Sequence, residues 1–260
     1  MATIDLNCDM GESFGAWRMG DDEAMLDVVS SANVACGFHA GDPSVMRRTL
    51  LAAKGRGVAV GAHPSFMDLY GFGRRQMSGE RPEDLEAQLI YQISALCGMG
   101  AAYGWPVTHV KPHGALSNMA AENCELAEVC VRAVKAVDPG LVFLTLPFSE
   151  TMKAAEKAGL KVACEVFADR AYDDNGMLAP RQRDGAVIHD PDRSIAQVLS
   201  VVCDGVIPTL GGHKLPVEAA SICVHSDTPG ALDMARALRK AIEQSGLTVA
   251  PFVQSTQRSD

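Results

Sequence analysis

Short apolar runs alternate with longer amphipathic segments along the chain. Several of these runs are almost continuously apolar, which is typical of strands that are buried on both faces of a sheet. We predict strands at residues 3–7, 32–36, 58–62, 107–111, 142–145, 161–167 and 221–225. Residues 185–189 form either an eighth strand or a piece of an excursion from the sheet.

The amphipathic segments carry the signals that begin and end helices. Asp42-Pro43 and Asp190-Pro191 each place a capping carboxylate before a proline, and glycines follow several of the segments. Proline at the first helical position and glycine just past the last one is the usual asymmetry of helices. Helices are predicted at residues 43–54, 82–97, 126–137, 150–158, 191–204 and 229–245.

The order of these elements predicts a mostly parallel sheet, because helices follow the strands in alternation. The pattern leaves two architectures open, a doubly wound open sheet and a closed barrel. No low-complexity or Pro/Gly/Ser-rich linker interrupts the chain, so we expect residues 1–260 to form one domain. Residues 66–81 are polar and glycine-rich, and we expect them to form a long loop over a site.

Composition and charge exclude several classes of protein. The net charge is −9, whereas nucleic-acid binding usually needs a basic face. The chain has no run of roughly 18 apolar residues, so no membrane span is expected. The cysteines are scattered singly without a CxxC pair, and the first residues lack the basic and apolar regions of a signal peptide. We therefore expect a cytoplasmic protein with reduced thiols.

Ionisable and hydrogen-bonding residues follow the predicted strands and do not precede them. The carboxyl ends of parallel strands form the face of an α/β barrel that carries the active site. We therefore predict one site that is built from several strand ends and from loop 66–81. Its candidates are Asn7, Asp9 and Glu12 after the first strand, His39 after the second, His63 after the third, Arg74 in the loop, Lys111 and His113 at the fourth, Glu165 and Arg170 at the sixth, and His225 and Asp227 after the last.

We divide these candidates into a catalytic set and a substrate-binding set by the chemistry of their side chains. Histidines supply general bases or metal ligands, carboxylates orient water, and lysine and arginine bind anionic groups. We predict catalytic roles for Asp9, Glu12, His39, His63, Lys111, His113 and Glu165, and substrate binding by Asn7, Arg74, Arg170, His225 and Asp227. The sequence has no P-loop and no G-x-S-x-G motif.

We expect no obligatory, tightly bound metal ion. The sequence has no His-x-x-x-His or similar local spacing of ligands. Ligands from separate strands can still converge, so a metal site is not excluded by this pattern.

Lys111 and His113 flank Pro112 at the end of the fourth predicted strand. Because they are two residues apart, their side chains face the same way, and we expect the ammonium to keep His113 neutral. We then expect Lys111→Met to leave the fold intact and to lower turnover by at least about 10²-fold. In the alternative interpretation, Lys111 pairs with a carboxylate such as Glu12 and braces the barrel.

Several segments resemble the successive signature blocks of the LamB/YcsF family. They are DLNCDMGESFG, NVACGFHAGDP, GAHPSFMDLYGFGRR, VKPHGALSNMA, EVFADRAYDDNGMLAPR, GAVIHDP and ICVHSDTPGA. The blocks occur in the family's order and extend from Asp5 to Ala231, so they are far more specific than any short motif.

The resemblance implies an irregular (β/α) barrel of seven strands, similar to the barrels of glycoside hydrolases and deacetylases. It also implies 5-oxoprolinase activity, in which 5-oxoproline is opened to L-glutamate with hydrolysis of ATP and an accompanying divalent cation such as Mg²⁺. The ATP is consumed by a complex with two further subunits, of B and C type, and its site lies on this chain or on a partner. Residue by residue, the blocks place Asp9, Glu12, His39, His63, Lys111, His113, Glu165, Arg170 and His225 in the site.

Two other functions stay open at this point. The first is a metal-dependent amide or carbohydrate deacetylase, in which Asp9 holds a metal with His39 and with His63 or His113. The second is a non-catalytic scaffold that organises partner subunits. A scaffold does not need polar groups at so many strand ends, so the sequence favours an enzyme.

Overall fold

Parallel strands form a closed barrel. The computed structural model describes residues 2–225 and 230–253. Its strands are β1 (Thr3–Met10), β2 (Ser31–Ala35), β3 (Ala59–His63), β4 (Val107–Val110), β5 (Val142–Thr145), β6 (Lys161–Phe167), β7 (Val206–Pro208), β8 (Lys214–Pro216), β9 (Ser221–Val224) and β10 (Thr248–Val249). Strands β1 to β6 and then β9 are parallel neighbours, and β9 pairs with β1 to close a ring of seven. The predicted barrel is therefore confirmed, and the open sheet is wrong.

Helices connect the strands, and their ends follow signals in the sequence. They are α1 (Asp22–Leu26), α2 (Pro43–Arg56), α3 (Pro82–Ala102), α4 (Gly114–Glu122), α5 (Cys124–Val137), α6 (Glu150–Lys157), α7 (Pro191–Asp204) and α8 (Ala231–Gln244). Asp42 accepts hydrogen bonds from the backbone N–H groups of Ser44 and Val45, which stabilises the start of α2. Gly57 ends this helix in the left-handed conformation, at a φ of 71°.

Some elements differ from the sequence prediction. Helix α3 continues through Gly98 to Ala102. A glycine inside a helix costs only about 1 kcal/mol, and burial of Leu89 and Ile93 on the same helix offsets that cost. Residues 185–189 lie outside the strands of the barrel, although Val187 forms a single antiparallel pair with Arg170. They belong to an excursion between β6 and β9 that also contains α7 and the β7–β8 hairpin.

The inward-facing positions of the barrel strands are largely polar. Asp5, Asn7 and Asp9 alternate along β1 and share one face, as side chains two residues apart on a strand do. On β2, Ser31 is the ladder partner of Asn7, and Asn33 is the partner of Asp9. All five residues are buried. The interior of the barrel therefore combines a hydrogen-bonded network with a small apolar cluster of Val142, Leu144 and Ala163, whereas the main apolar core lies between the barrel and its helices.

His109 on β4 occupies interior space beside a glycine of β3. Its Nε2 lies 2.9 Å from Asn33 Oδ1. A Cβ on Gly61 would overlap the His109 ring, so glycine is needed at this position. Burial, followed by the charge of Lys111, lowers the pKa of His109 to about 3. This histidine is therefore a neutral, structural hydrogen-bonding group.

Two expectations concern the whole chain. Among the described residues, no helix is long and apolar enough to cross a membrane. The assignment of residues 1–260 to one domain stays a prediction.

Candidate active site

Lys111 lies in the mouth of the barrel, directly after β4. Its Nζ is 3.0 Å from Asp9 Oδ1 and 2.9 Å from Glu165 Oε2, on strands that do not neighbour β4. Only 3% of the lysine is exposed. Burial alone would lower the pKa of Lys111, but the two carboxylates outweigh it and hold the pKa well above its usual value. Lys111 is therefore a fixed cation and not a general base.

Asp9 connects this lysine to a group of histidines. Its Oδ1 accepts a hydrogen bond from Asn33 Nδ2 at 2.9 Å, and its Oδ2 lies 3.2 Å from His63 Nε2. Burial would raise the pKa of Asp9, but His63 and Lys111 outweigh burial and hold the pKa well below its usual value. Asp9 is therefore an ionised carboxylate at the mouth of the barrel.

Three histidines and Glu12 meet beside Asp9. The rings of His39 and His113 are stacked with their centroids 4.0 Å apart, and His113 Nδ1 lies 2.9 Å from His63 Nε2. Glu12 Oε1 is 3.8 Å from His113 Nδ1. Burial, followed by the neighbouring histidines, holds the pKa values of His39 and His113 well below the usual value, so both rings are neutral.

The neutral state of His113 agrees with the expectation, but its physical cause differs. We expected the Lys111 ammonium to disfavour a second positive charge. The pKa of His113 is lowered first by burial and then by His39 and His63. Lys111 instead forms ion pairs with Asp9 and Glu165. Glu12, its partner in the alternative interpretation, lies beside His113.

The loop after β3 reaches the histidines through its backbone. The Phe72 carbonyl accepts a hydrogen bond from His113 Nε2 at 2.9 Å. Gly73 follows at a φ of 64°, and a Cβ there would lie 2.8 Å from the His113 ring. Glycine therefore permits both the left-handed backbone and the close approach. The Arg74 guanidinium then lies over the Phe72 ring, 5.0 Å from its centroid.

A cavity of about 530 Å³ opens at the carboxyl ends of the strands. It is lined by polar side chains that include Asp9, His63, Arg74, Lys111, His113, Arg170, Arg181 and His225. Arg170 is 3% exposed, and burial followed by Arg181 lowers its pKa to about 10, which leaves it charged at neutral pH. Several fixed cations around one cavity favour an anionic ligand.

The structure brings most of the predicted site residues to this region. The cavity is lined by Asp9, His63, Arg74, Lys111, His113, Arg170 and His225. Glu12, His39 and Glu165 do not line it, but they contact residues that do. Asn7 lies deeper, where its Nδ2 donates to Ser221 Oγ at 2.6 Å. This placement favours a supporting role for Asn7 over direct substrate binding. Asp227 lies outside the described residues.

Other residues of the site were not among the candidates. Asn33 donates to both Asn7 Oδ1 and Asp9 Oδ1, and Cys223 Sγ lies 3.1 Å from Lys111 Nζ. The signal that would have found them is the alternation of polar residues within the strands. Residues at the strand ends alone do not reveal the network below them.

Two groups of side chains in the described ranges have the spacing to hold a metal ion. One consists of Glu12, His39, His63 and His113, and the other consists of Asp9, Cys223 and His225. In the second group, Lys111 Nζ already lies 3.0 Å from Asp9 and 3.1 Å from Cys223. A metal ion there would have to displace an ammonium group, so the first group suits a cation better.

Asp5 makes the stability of the barrel depend on pH. Burial, opposed by hydrogen bonds from Ser221, Ser30 and Ser31 and assisted by the charge of Glu165, raises its pKa from 3.8 to about 6. The folded protein therefore binds this proton more tightly than the unfolded chain, and the stabilisation from protonation is lost as pH rises from about 4 to about 6. We expect this group to lower the free energy of unfolding by about 3 kcal/mol across that range.

The measurement compares wild type with Asp5→Asn by urea denaturation at several pH values. The difference between the two proteins isolates the contribution of Asp5 from those of other carboxylates. A difference that stays constant from pH 4 to 7, within about 0.5 kcal/mol, would contradict the raised pKa.

Known proteins are similar to this chain over nearly its whole length. Two of them are named as the A subunit of 5-oxoprolinase. The one from Rhodopseudomonas palustris (strain ATCC BAA-98 / CGA009) is 51% identical over 96% of this chain and 98% of its own length. The one from Azoarcus sp. (strain BH72) is 54% identical over 95% of this chain and 96% of its own length.

Solved structures show the same fold. The lactam utilization protein from Thermus thermophilus has a TM-score of 0.90 and 46% identity, covering 95% of this chain and 99% of its own. A family 4 carbohydrate esterase from Streptomyces lividans has a TM-score of 0.50 at 15% identity, over 100% of this chain and 97% of its own. The second likeness shows the fold alone and supports the predicted similarity to deacetylase barrels.

The sequence model of the LamB/YcsF family matches residues 4–257, which is nearly the whole chain. The relatives at about half identity extend over the same length. This chain belongs to the LamB/YcsF family.

Proposed function

We propose that this chain is the A subunit of an ATP-dependent 5-oxoprolinase, which opens 5-oxoproline to L-glutamate together with subunits of B and C type. The observation that carries the proposal is the near full-length identity of about one half to proteins named as the A subunit of 5-oxoprolinase. The cavity adds support because its charges suit the substrate. 5-Oxoproline carries a carboxylate, and a phosphorylated form would carry a second anionic group.

The arginines of the cavity suit these anionic groups. Arg74 reaches it from the loop after β3, and Arg170 reaches it from the excursion after β6. Arg170 Nη2 donates to the Ala179 carbonyl at 2.6 Å, which fixes the guanidinium in place. Its Nε has no hydrogen-bond partner among the described residues although it is buried. A buried donor without a partner is costly, so this donor is available for a substrate oxygen.

Lys111 suits the developing charge of the reaction. A five-membered lactam is a resonance-stabilised amide, and phosphorylation of its oxygen would make the carbonyl carbon a better electrophile. Attack of water then needs a group that activates the water, and a fixed cation beside the oxygen that gains charge. Lys111 supplies the cation without losing its proton, which is worth a few kcal/mol in such sites. Asp9 and the histidines beside it supply the water-activating side of the cavity.

The ATP and its Mg²⁺ belong to the same proposal. Mg²⁺ prefers oxygen ligands and usually accompanies the phosphates of its substrate. In this cavity, the carboxylates of Asp9 and Glu165 both contact the Lys111 ammonium, so they do not form a carboxylate site for Mg²⁺. We therefore propose that the cation enters with ATP, on this chain or on a partner. The cytoplasmic location stays a prediction.

Deacetylation stays the alternative function. The esterase from Streptomyces lividans shares only 15% identity, so its activity does not transfer to this chain. The same purified protein tests both functions, because acetate release from acetylated sugars and amides is measured separately from glutamate release.

The decisive experiment is reconstitution with the B- and C-type subunits from the same source. We expect the complex to release glutamate and phosphate in equal amounts from 5-oxoproline and ATP. We expect the chain alone to release neither, because its sequence has no P-loop. The matched control is the complex without ATP.

Turnover by the highly purified chain alone would contradict the dependence on partners. Absence of glutamate from the full complex, with acetate release from an acetylated substrate, would replace the proposal with the deacetylase.

A further inference from the structure

Two carbonyl groups fix the tautomers of the histidines beside the cavity. His63 Nδ1 lies 2.6 Å from the Lys111 carbonyl oxygen, and His113 Nε2 lies 2.9 Å from the Phe72 carbonyl oxygen. A carbonyl oxygen only accepts hydrogen bonds, so each of these nitrogens carries a proton. When each ring carries only this one proton, the opposite nitrogens carry lone pairs. These are His63 Nε2 and His113 Nδ1.

The two lone pairs point at each other. His63 Nε2 and His113 Nδ1 are 2.9 Å apart, a distance at which two acceptors without a shared cation repel. Asp9 Oδ2 lies 3.2 Å from the first nitrogen, and Glu12 Oε1 lies 3.8 Å from the second. The arrangement is thus a set of electron-pair donors around one point. Histidines that ligate metals typically show this pattern, in which a carbonyl holds the other ring nitrogen.

His39 provides an independent observation. It is 0% exposed, and neither of its ring nitrogens has a hydrogen-bond partner within the described ranges. A buried imidazole in this state has lost its hydrogen bonds to water without replacing them, so such a group calls for a partner. Its ring stacks on His113, with 9° between the planes, and one of its nitrogens lies within 4.8 Å of a nitrogen of His63 and of His113.

We propose that His39, His63, His113 and Glu12 bind one divalent transition-metal ion of the zinc class. One ligand atom from each residue lies within 4.8 Å of the others. Ligand atoms around tetrahedral zinc are separated by roughly 3.3 Å, given bond lengths near 2.0 Å, so small side-chain rotations close the site. An imidazole nitrogen binds a metal ion in the plane of its own ring, so two stacked rings cannot both bind one ion. The His39 ring therefore has to tilt towards the ion on binding.

A proton shared between His63 and His113 is the competing explanation. The shared proton would relieve the repulsion between the two lone pairs, and its positive charge would lie close to the Asp9 carboxylate. It would leave both nitrogens of His39 without a partner, whereas a metal ion uses His39 and Glu12 together. Three imidazoles and one carboxylate are borderline ligands that suit zinc, cobalt and nickel better than magnesium. This inference departs from our expectation of no tightly bound metal, which rested on local sequence spacing.

The role of the ion rests on the proposed function, although its binding does not. His63 and His113 line the cavity, so the ion would lie in the wall that faces the substrate. Its Lewis acidity would there favour activation of water beside Asp9. The divalent cation that accompanies ATP is a separate requirement.

The test uses the full chain without partners, ATP or 5-oxoproline. The protein is stripped with a chelator, and its fold is checked by circular dichroism. It is then titrated with Co²⁺, with binding followed by visible absorption and metal content measured by mass spectrometry. We expect one equivalent per chain at sub-micromolar Kd. We expect His63→Gln and His113→Gln each to weaken binding by more than about 100-fold, beyond the loss typical of outer-shell partners.

His225→Gln is the matched control, because His225 lines the same cavity but belongs to the other candidate group. We expect its affinity to stay within about 3-fold of wild type, since it lies outside the proposed ligand set. If the ligand variants do not fold, X-ray absorption of the zinc-loaded wild type decides. Three imidazole nitrogens and an oxygen support the proposal, whereas a sulfur neighbour near 2.3 Å would assign the ion to the Cys223 group.

Absence of stoichiometric binding by the folded wild type would overturn the proposal and leave the shared proton. Glutamate release by the reconstituted complex is measured separately with Mg²⁺ supplied. A complex that is active without the ion would remove the role of the ion in catalysis, whereas a reconstituted complex that binds the ion and has no 5-oxoprolinase activity would refute the proposed function.

Discussion

Replacement of Lys111 by methionine is expected to lower the free energy of unfolding by about 3–5 kcal/mol, the scale for breaking a buried ion pair. The lysine is buried between Asp9 and Glu165, and its removal leaves two carboxylates close together without a compensating charge. Urea denaturation of wild type and variant at neutral pH measures the difference.

A double variant provides the control for this prediction. Lys111→Met combined with Glu165→Gln removes one negative charge as well, so we expect it to recover at least about 1 kcal/mol relative to Lys111→Met alone. Wild-type stability of the single variant would show that the three charges are not coupled. The prediction differs from our expectation from sequence, in which Lys111→Met affected turnover and left the fold intact. The contacts of Lys111 add a bracing role to the electrostatic role proposed above, with Asp9 and Glu165 in the place of Glu12.

Replacement of Asp9 by asparagine is expected to lower kcat/KM of the reconstituted complex by about 10²–10⁴-fold, the scale of lost general-base assistance. Asp9 lines the cavity, and its charge also holds Lys111 and faces His63. Asparagine keeps the size and the hydrogen bond with Asn33 but loses the charge. Glutamate release under saturating ATP measures the effect.

Asp5→Asn is the matched control for that substitution. Asp5 lies on the same strand and the same inward face, but it does not line the cavity. We expect its kcat/KM to stay within about 3-fold of wild type, because it has no contact with the reacting groups. Equal losses in the two variants would show that Asp9 acts through the stability of the barrel, and not on the substrate.

The architecture was predictable where the sequence repeats one physical pattern. The apolar runs gave the barrel strands to within a few residues, and Asp42-Pro43 gave the start of α2. The periodicity did not distinguish an open sheet from a barrel, because closure depends on pairing between β1 and β9 at opposite ends of the chain. The family resemblance supplied that information. Short elements such as α1 and the β7–β8 hairpin carry too few residues for a clear period.

The site was predictable in its position but not in its connections. Their position after the strands identified Asp9, His63, Lys111 and His113 as residues of one site at the mouth of the barrel. It did not show that Lys111 pairs with Asp9 and Glu165, because side chains that meet across a barrel come from strands far apart in sequence. The tautomers of His63 and His113 could not be predicted either, since they depend on backbone carbonyls such as that of Phe72. The roles of these residues stay predictions.

The closure of the barrel also governs how the chain can fold during its synthesis. Ser221 on β9 donates a hydrogen bond to Asp5 on β1, across 216 residues of sequence. A growing chain that lacks β9 therefore leaves an open sheet with two unpaired edges, and Asp5 without one of its three serine hydroxyl partners. Contacts of such long range form late and slowly. The complete barrel of this protein therefore forms only after its last ring strand has been made.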